Sequence, residues 1–361
     1  MNFIFWQNSL SPHQSAFLRN LAERHNVYLL VDEETSLYRI KCGWSIPDFG
    51  KVKVSVNPSD TEINEKLNIS DAIHIFQGCW AFKLPKKAFR LAIKKRLPFI
   101  GVYQEAYNPT GLKGKLRFFK YSLFRLLYGK RIKFILAPGY NGRDCLASVG
   151  FHESIIHVFG YFIEKQEFIN RNTLHSTKQK LLFVGSISKR KNILSLVEVC
   201  KNLNIIDQLT IVGVGTLESK LRELIKNTNC NYLGKVSNNE VRQLIANSDV
   251  LIIPSFFDAY PLVVSESLMA GTPVIASDRC GSSILLQQND HGRVFSIKNN
   301  DLEQVLLNFL KELPYSADKR KKVREWALRN ISGEVAAKYF EEIIEYVMKE
   351  RIERPVAPWL L

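Results

Sequence analysis

Short apolar runs alternate with helical patterns along this chain, and the alternation halts once and restarts. The first series reads "NFIFW", a helix from about Ser11 to Arg24, "VYLLV", a strand near Lys53, and "AIHIF". It continues through a basic helix at about 84–95, "PFIGVY", a second basic helix at about 113–128, "KFILA" and "IIHVF". Strands that read as near-continuous apolar runs between helices imply a parallel sheet covered on both faces. The polar, aperiodic stretch "EKQEFINRNTLHSTKQK" then reads as a linker. Beyond it come "LLFVG", "LTIVGVG", "NYLGKV", "DVLIIPS", "TPVIAS" and "GRVFSI", each pair separated by a helix or loop. From about Asp301 the pattern is wholly helical. The expected fold class is α/β, with two Rossmann-like doubly wound domains. Their expected bounds are 1–163, a linker at 164–179, 180–333, and a C-terminal helix over 334–361.

The chain has 361 residues, 46% of them hydrophobic, enough for two ordinary cores and too apolar for disorder. Six scattered cysteines form no Cys-x-x-Cys pair, which fits a reducing compartment and buried thiols. The N-terminus lacks a cationic start and an apolar core of signal-peptide length. No stretch approaches the roughly 18 to 20 apolar residues that span a bilayer, so a cytoplasmic location is expected. The net charge is +15, and the segment 83–133 holds fifteen basic residues against one acid, Glu105, a local balance of 15 − 1 = +14.

Open α/β sheets bind ligands beyond the carboxyl ends of their strands, so polar residues at strand ends are the candidates. "FVGSISKRKN" ends a strand at Gly185 and places Lys189, Arg190 and Lys191 at the start of the next helix. Such a turn suits a phosphate, although three successive cations also occur as a solvated face. Gly213 and Gly215 suggest a dinucleotide turn, but Glu218 stands where a third glycine belongs, so a tight turn is the simpler reading. In "PSFFDAYPLVVSESLMAGTPVIAS", Asp258 lies on a loop and Glu266 on the helix that Gly271 ends. A carboxylate accepts two hydrogen bonds from a vicinal diol, so both acids suit a polyol. Alternatively, Asp258 caps the helix and Glu266 pairs with a lysine.

The spacing of Asp258 and Glu266, followed by "SLMAGTPVIAS", resembles the signature of family 4 glycosyltransferases of the GT-B fold. "LLFVGSISKRKN", "LTIVGVG", "NYLGKVSNNEVRQLIANSDVLIIPS" and "NDHGRVF" look like that family's donor domain in order. "FILAPGYNGRDCLASVGFHESIIHVFGYFIEKQEF" looks like the end of its first domain. The resemblance implies two domains facing across a cleft, with the C-terminal helix crossing back to the first. It implies a retaining, metal-independent transfer of a sugar from a UDP- or GDP-type nucleotide sugar to a glycan or lipid-linked acceptor, with no cofactor beyond the donor. The expected setting is bacterial surface polysaccharide or lipopolysaccharide synthesis. Glu266 would hold ribose hydroxyls, Asp258 the donor sugar, and Lys191 the diphosphate. Ser186 stands where the family often has arginine, and Arg190 is the expected substitute. The backbone of Ala259, Tyr260, Pro261 and Leu262 would pass the sugar and diphosphate, with Lys235 and Val236 meeting the base. The departing phosphate would help deprotonate the acceptor hydroxyl, and cations with helix N–H groups would stabilise its charge.

In the first domain Gln104 and Glu105 replace the family's frequent histidine. Glu105 is expected to face the cleft, or else to neutralise neighbouring lysines. His13 and Gln14 are candidates for acceptor or donor contact, a surface loop being the alternative for His13. On a helical wheel Leu116, Phe119, Leu123, Leu126 and Leu127 form a stripe expected in the core. Arg117, Phe118, Tyr121, Phe124, Arg125 and Tyr128 lie on the other side and would face an anionic membrane, unless the aromatics pack on neighbouring helices. Peripheral attachment to the inner face of the cytoplasmic membrane follows from the first reading. Two rivals remain: a nucleotide-sugar epimerase on the same fold, and a nucleic-acid-binding module built on the basic segment. No nucleic-acid motif accompanies that segment, so no nucleic-acid partner is expected.

Overall fold

A computed structural model describes residues 1–35, 46–165, 169 and 179–361. They divide into two compact units, Met1–Glu164 with Ile331–Leu361, and Lys165–Asn330. The doubly wound parallel architecture expected of both halves is what the structure shows.

The first unit runs β1 (Asn2–Ser9), α1 (Pro12–Ala22), β2 (Asn26–Glu33), β3 (Lys53–Val56), α2 (Asp60–Leu67) and β4 (Ala72–Gln77). It continues α3 (Lys83–Lys94), β5 (Ile100–Tyr103), α4 (Gly111–Tyr128), β6 (Phe134–Pro138), α5 (Gly139–Ser148) and β7 (Ile156–Phe159). Its parallel sheet has the order β3-β2-β1-β4-β5-β6-β7, so strand order reverses between β1 and β4. Phe3, Ile4, Phe5 and Trp6 of β1 are all buried, as a strand covered on both faces requires. Ser11 caps α1 by accepting from the His13 amide at 3.2 Å, with Pro12 preset at the first helical position.

The second unit runs β8 (Leu181–Val184), α6 (Ile193–Asn202), β9 (Leu209–Val212), α7 (Glu218–Leu224), β10 (Asn231–Gly234) and α8 (Asn238–Asn247). It continues β11 (Val250–Ile253), α9 (Leu262–Met269), β12 (Val274–Ser277), β13 (Gly292–Phe295), α10 (Leu302–Leu310) and α11 (Ala317–Asn330). The parallel order is β10-β9-β8-β11-β12-β13, with the reversal between β8 and β11. Gly271 follows α9 at φ 75°, and a Cβ there would lie 2.5 Å from the Arg320 carbonyl oxygen. Arg320 is itself buried and donates to the carbonyls of Ala246 and Ser248 and to the Thr272 hydroxyl at 2.7–2.9 Å. Those bonds fasten α11 to the ends of α8 and α9.

The last helix, α12 (Gly333–Met348), belongs to the first unit. Ala336, Ala337, Phe340, Ile343 and Ile344 recur at helical spacing and are buried. The Phe340 ring lies 5.3 Å from those of Phe3 and Phe17. Gly333 permits the approach to α1, since a Cβ would meet the Ala16 carbonyl carbon at 2.6 Å.

Helix α4 packs with the face opposite to the one its wheel suggests. Tyr121 and Phe124 are buried, and both sit edge-on to Trp80, at 4.6 and 4.3 Å between ring centroids. Gly114 lets this face approach the chain closely, because a Cβ would meet the Pro109 carbonyl oxygen at 2.0 Å. Leu116, Phe119, Leu123, Leu126 and Leu127, expected in the core, are instead exposed. Each therefore forgoes part of the roughly 1.5–3 kcal/mol that full burial of such a side chain contributes. Among the described residues no helix is long and apolar enough to cross a membrane. Cys79, Cys200 and Cys280 are buried and Cys145 and Cys230 half-buried, while Cys42 lies outside the described residues.

Candidate functional site

In the second unit the loops after β8 and β11 leave adjacent strands at the point where strand order reverses, the place where parallel sheets take ligands. Lys189, Arg190 and Lys191 do not open α6, as the sequence suggests. They form a separate 3-10 turn, because Asn192 takes a left-handed conformation at φ 55° and α6 starts at Ile193. The amide of Phe256 donates to the Arg190 carbonyl at 2.9 Å, tying this turn to the loop that carries Asp258.

That loop is held on its other side as well. The Asp258 amide donates to the Arg279 carbonyl at 3.0 Å, and the Gly281 amide to the Asp258 carbonyl at 2.9 Å. With its backbone fixed, the Asp258 carboxylate meets two cations. The Lys191 ammonium bonds one oxygen, and the Arg190 guanidinium lies 3.4 Å from the other. The side chains of Lys191 and Asp258 are each 12% exposed and that of Arg190 is 48% exposed. Arg190 also donates to the Phe257 carbonyl at 3.1 Å. Cys280 lies under this cluster, and burial pushes its thiol up to about 12, with the Asp258 charge adding to the rise.

Around the cluster, Gly185 and Ser186 line the β8 loop, with the Ser186 and Ser188 hydroxyls 3.1 Å apart. Gly213 approaches so closely that a Cβ would lie 1.9 Å from the Gly185 carbonyl oxygen, and one on Gly215 would lie 2.4 Å from that of Ile187. Packing of the two loops therefore accounts for both glycines. Ala259, Tyr260 and Pro261 lead into α9 at Leu262, whose first turn has no side-chain cap and no acid. Its leading N–H groups suit an anion beside Lys191 and Arg190. Tyr260 is buried, and desolvation raises its hydroxyl above the usual range. Lys235 and Val236 fall just past the edge strand β10, on the turn before α8, rather than within the strand.

Glu266, on α9, takes different cationic neighbours. It lines a recess with Arg242, Ile245, Ala246, Ala270 and Arg324. Burial pushes its carboxyl above the usual carboxylate range, and the Arg242 charge pulls it partly back. Sequence reading missed both arginines, which project from α8 and α11.

In the first unit Tyr161, just beyond β7, links two of the candidates. Its hydroxyl donates to Glu105 Oε1, and its ring centroid is 5.0 Å from that of His13. Gln77 Nε2 reaches the same hydroxyl at 3.4 Å. Gln104 is buried and donates to the Tyr121 hydroxyl at 2.7 Å and to the Glu105 carbonyl at 2.8 Å. Gln14 is 3% exposed and hydrogen-bonds Gln7 inside the unit. Tyr161 lies within the stretch "IIHVFGYFIEKQEF" but was given no role there, and its place at a strand's carboxyl end is a signal that could have found it.

Residues 164–327 match the family described as glycosyl transferases group 1. An uncharacterized 41.2 kDa protein in the cps region of Klebsiella pneumoniae is 29% identical over 229 residues, covering 59% of this chain and 62% of that protein. A GalNAc-alpha-(1->4)-GalNAc-alpha-(1->3)-diNAcBac-PP-undecaprenol alpha-1,4-N-acetyl-D-galactosaminyltransferase of Campylobacter jejuni is 27% identical over 232 residues, covering 58% of this chain and 64% of that protein. The chain thus spans less than two thirds of the length of either relative. Anabaena HepE, solved in complex with UDP, superposes with a TM-score of 0.70 at 13% identity, covering 96% of this chain and all of that one. That likeness is one of fold, and the fold is GT-B.

Proposed function

We infer that this chain is a glycosyltransferase that moves a sugar from a UDP- or GDP-type nucleotide sugar to a glycan or lipid-linked acceptor of the bacterial surface. The observation that carries this reading is the cluster of Lys191, Arg190 and Asp258 at the strand-order reversal of the second unit. The match of that unit to group 1 glycosyl transferases supports it. So do the UDP bound by HepE and the undecaprenol-linked substrate in the name of the Campylobacter relative.

In this reading Lys191, Arg190 and the first-turn amides of α9 take the diphosphate, Asp258 contacts sugar hydroxyls, and Glu266 holds the ribose. Transfer is of the retaining, family 4 type. The acceptor oxygen bonds the anomeric carbon as its bond to the diphosphate breaks, and the departing phosphate takes the acceptor proton. Charge on the leaving group is met by cations and helix N–H groups, with no metal ion assigned a role. Glu105, held by the Tyr161 hydroxyl, and His13, against the Tyr161 ring, would serve the acceptor from the first unit.

The test is incubation of the full chain with labelled UDP- and GDP-sugars, with and without lipid-linked glycan extracts. Label entering the lipid fraction, with nucleoside diphosphate released only when acceptor is present, is the expected result. Conversion of the donor sugar with no acceptor present would make the chain an epimerase instead.

A further inference from the structure

Six large apolar side chains of α4, namely Leu112, Leu116, Phe119, Leu123, Leu126 and Leu127, are 55–75% exposed. At helical spacing they fall within an arc of roughly 100° along the whole helix. Lys115 borders this stripe on one side, and Lys113 and Lys120 on the other. The segment 111–131 carries seven lysines and arginines and no acid. Helix α3 is its neighbour, with Phe89 and Phe124 ring centroids 5.4 Å apart. That helix exposes Lys83, Lys86, Lys87 and Arg90 around an open recess.

We propose that α4 is a membrane-docking helix that lies in the plane of an anionic bilayer, its leucine and phenylalanine stripe among the acyl chains and its flanking cations on the headgroups. A continuous exposed apolar stripe of this length marks an interaction surface. The chemistry on its borders selects the occupant. Cations without acids complement anionic headgroups, while the stripe itself offers nothing to a phosphate and so is not accounted for by nucleic acid. A second copy docked on the same face would bring two acid-free basic segments together across a twofold axis, which like-charge repulsion opposes. The opposite face of α4, with Tyr121 and Phe124, is already committed to the core.

The experiment is co-sedimentation of the full chain with vesicles of equimolar phosphatidylglycerol and phosphatidylcholine, against phosphatidylcholine alone. Binding to the anionic vesicles is expected to be at least about tenfold stronger and to weaken with salt. The variant Leu116→Gln with Phe119→Gln and Leu123→Gln should lose about tenfold or more of that binding. Replacing Lys113, Lys115 and Lys120 by Gln should lose about fivefold per cation removed, the equivalent of about 1 kcal/mol each. Both variants should melt with the wild-type protein, because the replaced side chains already face water.

Equal binding to both vesicle types, or unchanged binding by the apolar variant, would overturn the proposal. So would a fall in melting temperature of more than about 5 °C, which would place the stripe inside the protein. A concentration-dependent dimer that the apolar variant dissolves would assign the stripe to a second copy. RNA that displaces the vesicles and binds the apolar variant as well as the wild type would assign the patch to nucleic acid. Vesicle binding needs neither donor nor acceptor, so this inference stands or falls apart from the proposed reaction.

Discussion

The Lys191 ammonium rests on the Asp258 carboxylate, although 67 positions separate them in the chain. The two loops that bear them leave neighbouring strands at the reversal of strand order, and Arg190 covers the remaining carboxylate oxygen. Removing either partner leaves a largely buried charge with reduced compensation. Lys191→Met and Asp258→Asn should each destabilise the second unit by about 2–4 kcal/mol, and the double variant by clearly less than the sum. Denaturant unfolding of the four proteins checks this, and strict additivity would mean that the pair is not coupled.

In the proposed donor site, the raised carboxyl of Glu266 would give donor binding a pH dependence. Desolvation favours its protonated form, so on acidification it stops accepting two ribose hydrogen bonds at a pH above the ordinary carboxylate range. Donor affinity should therefore fall as pH drops through that raised value. Glu266→Gln should bind weakly at every pH and lose this limb of the profile. A wild-type affinity that is flat on acidification would remove the carboxylate from the donor site.

In the proposed reaction Tyr161 would act by positioning Glu105. Tyr161→Phe keeps the ring beside His13 and removes only the hydroxyl that fixes the carboxylate. We expect turnover to fall about tenfold while KM for the donor stays within about twofold, because misplacement near the reacting groups affects chemistry before binding. A loss confined to thermal stability would give Tyr161 a structural role alone.

Two histidines in the first unit make its stability depend on pH. Burial lowers His74 to about 4 and His157 to about 3, the latter with help from the Arg354 charge. Both are neutral when folded, whereas the unfolded chain takes up protons below about 6.5. The unfolded state therefore binds more protons between that value and about 4, and stability is lost as pH falls through this window. Each histidine contributes at most about 1.4 kcal/mol per pH unit. His157→Gln should flatten the dependence of melting temperature on pH between 7 and 4 by roughly half, and an unchanged slope would refute the assignment.

The fold was legible because its signal is local. Apolar runs such as "AIHIF" and "VLII" alternate with helical periods, and each became a strand of a parallel sheet. The spacing of Asp258 and Glu266 was likewise visible, since it lies within one loop and one helix. What stayed hidden depends on distant partners. Periodicity revealed two faces on α4 but not which one packs, and Trp80 and the close approach at Gly114 settled that against the leucine stripe. The left-handed Asn192, which sets Lys191 apart from α6, has no unique sequence mark. Arg242 and Arg324 line the recess beside Glu266 from helices that tertiary packing alone brings together.

Calorimetric titration of the full chain with UDP- and GDP-sugars, for wild type and Glu266→Ala, measures donor binding at the second unit. One nucleotide sugar should bind the wild type, and the variant should bind it at least about a hundredfold more weakly, the loss expected when a charged hydrogen-bonding partner disappears. Equal affinity in the two proteins, or no heat from any nucleotide sugar, would contradict it.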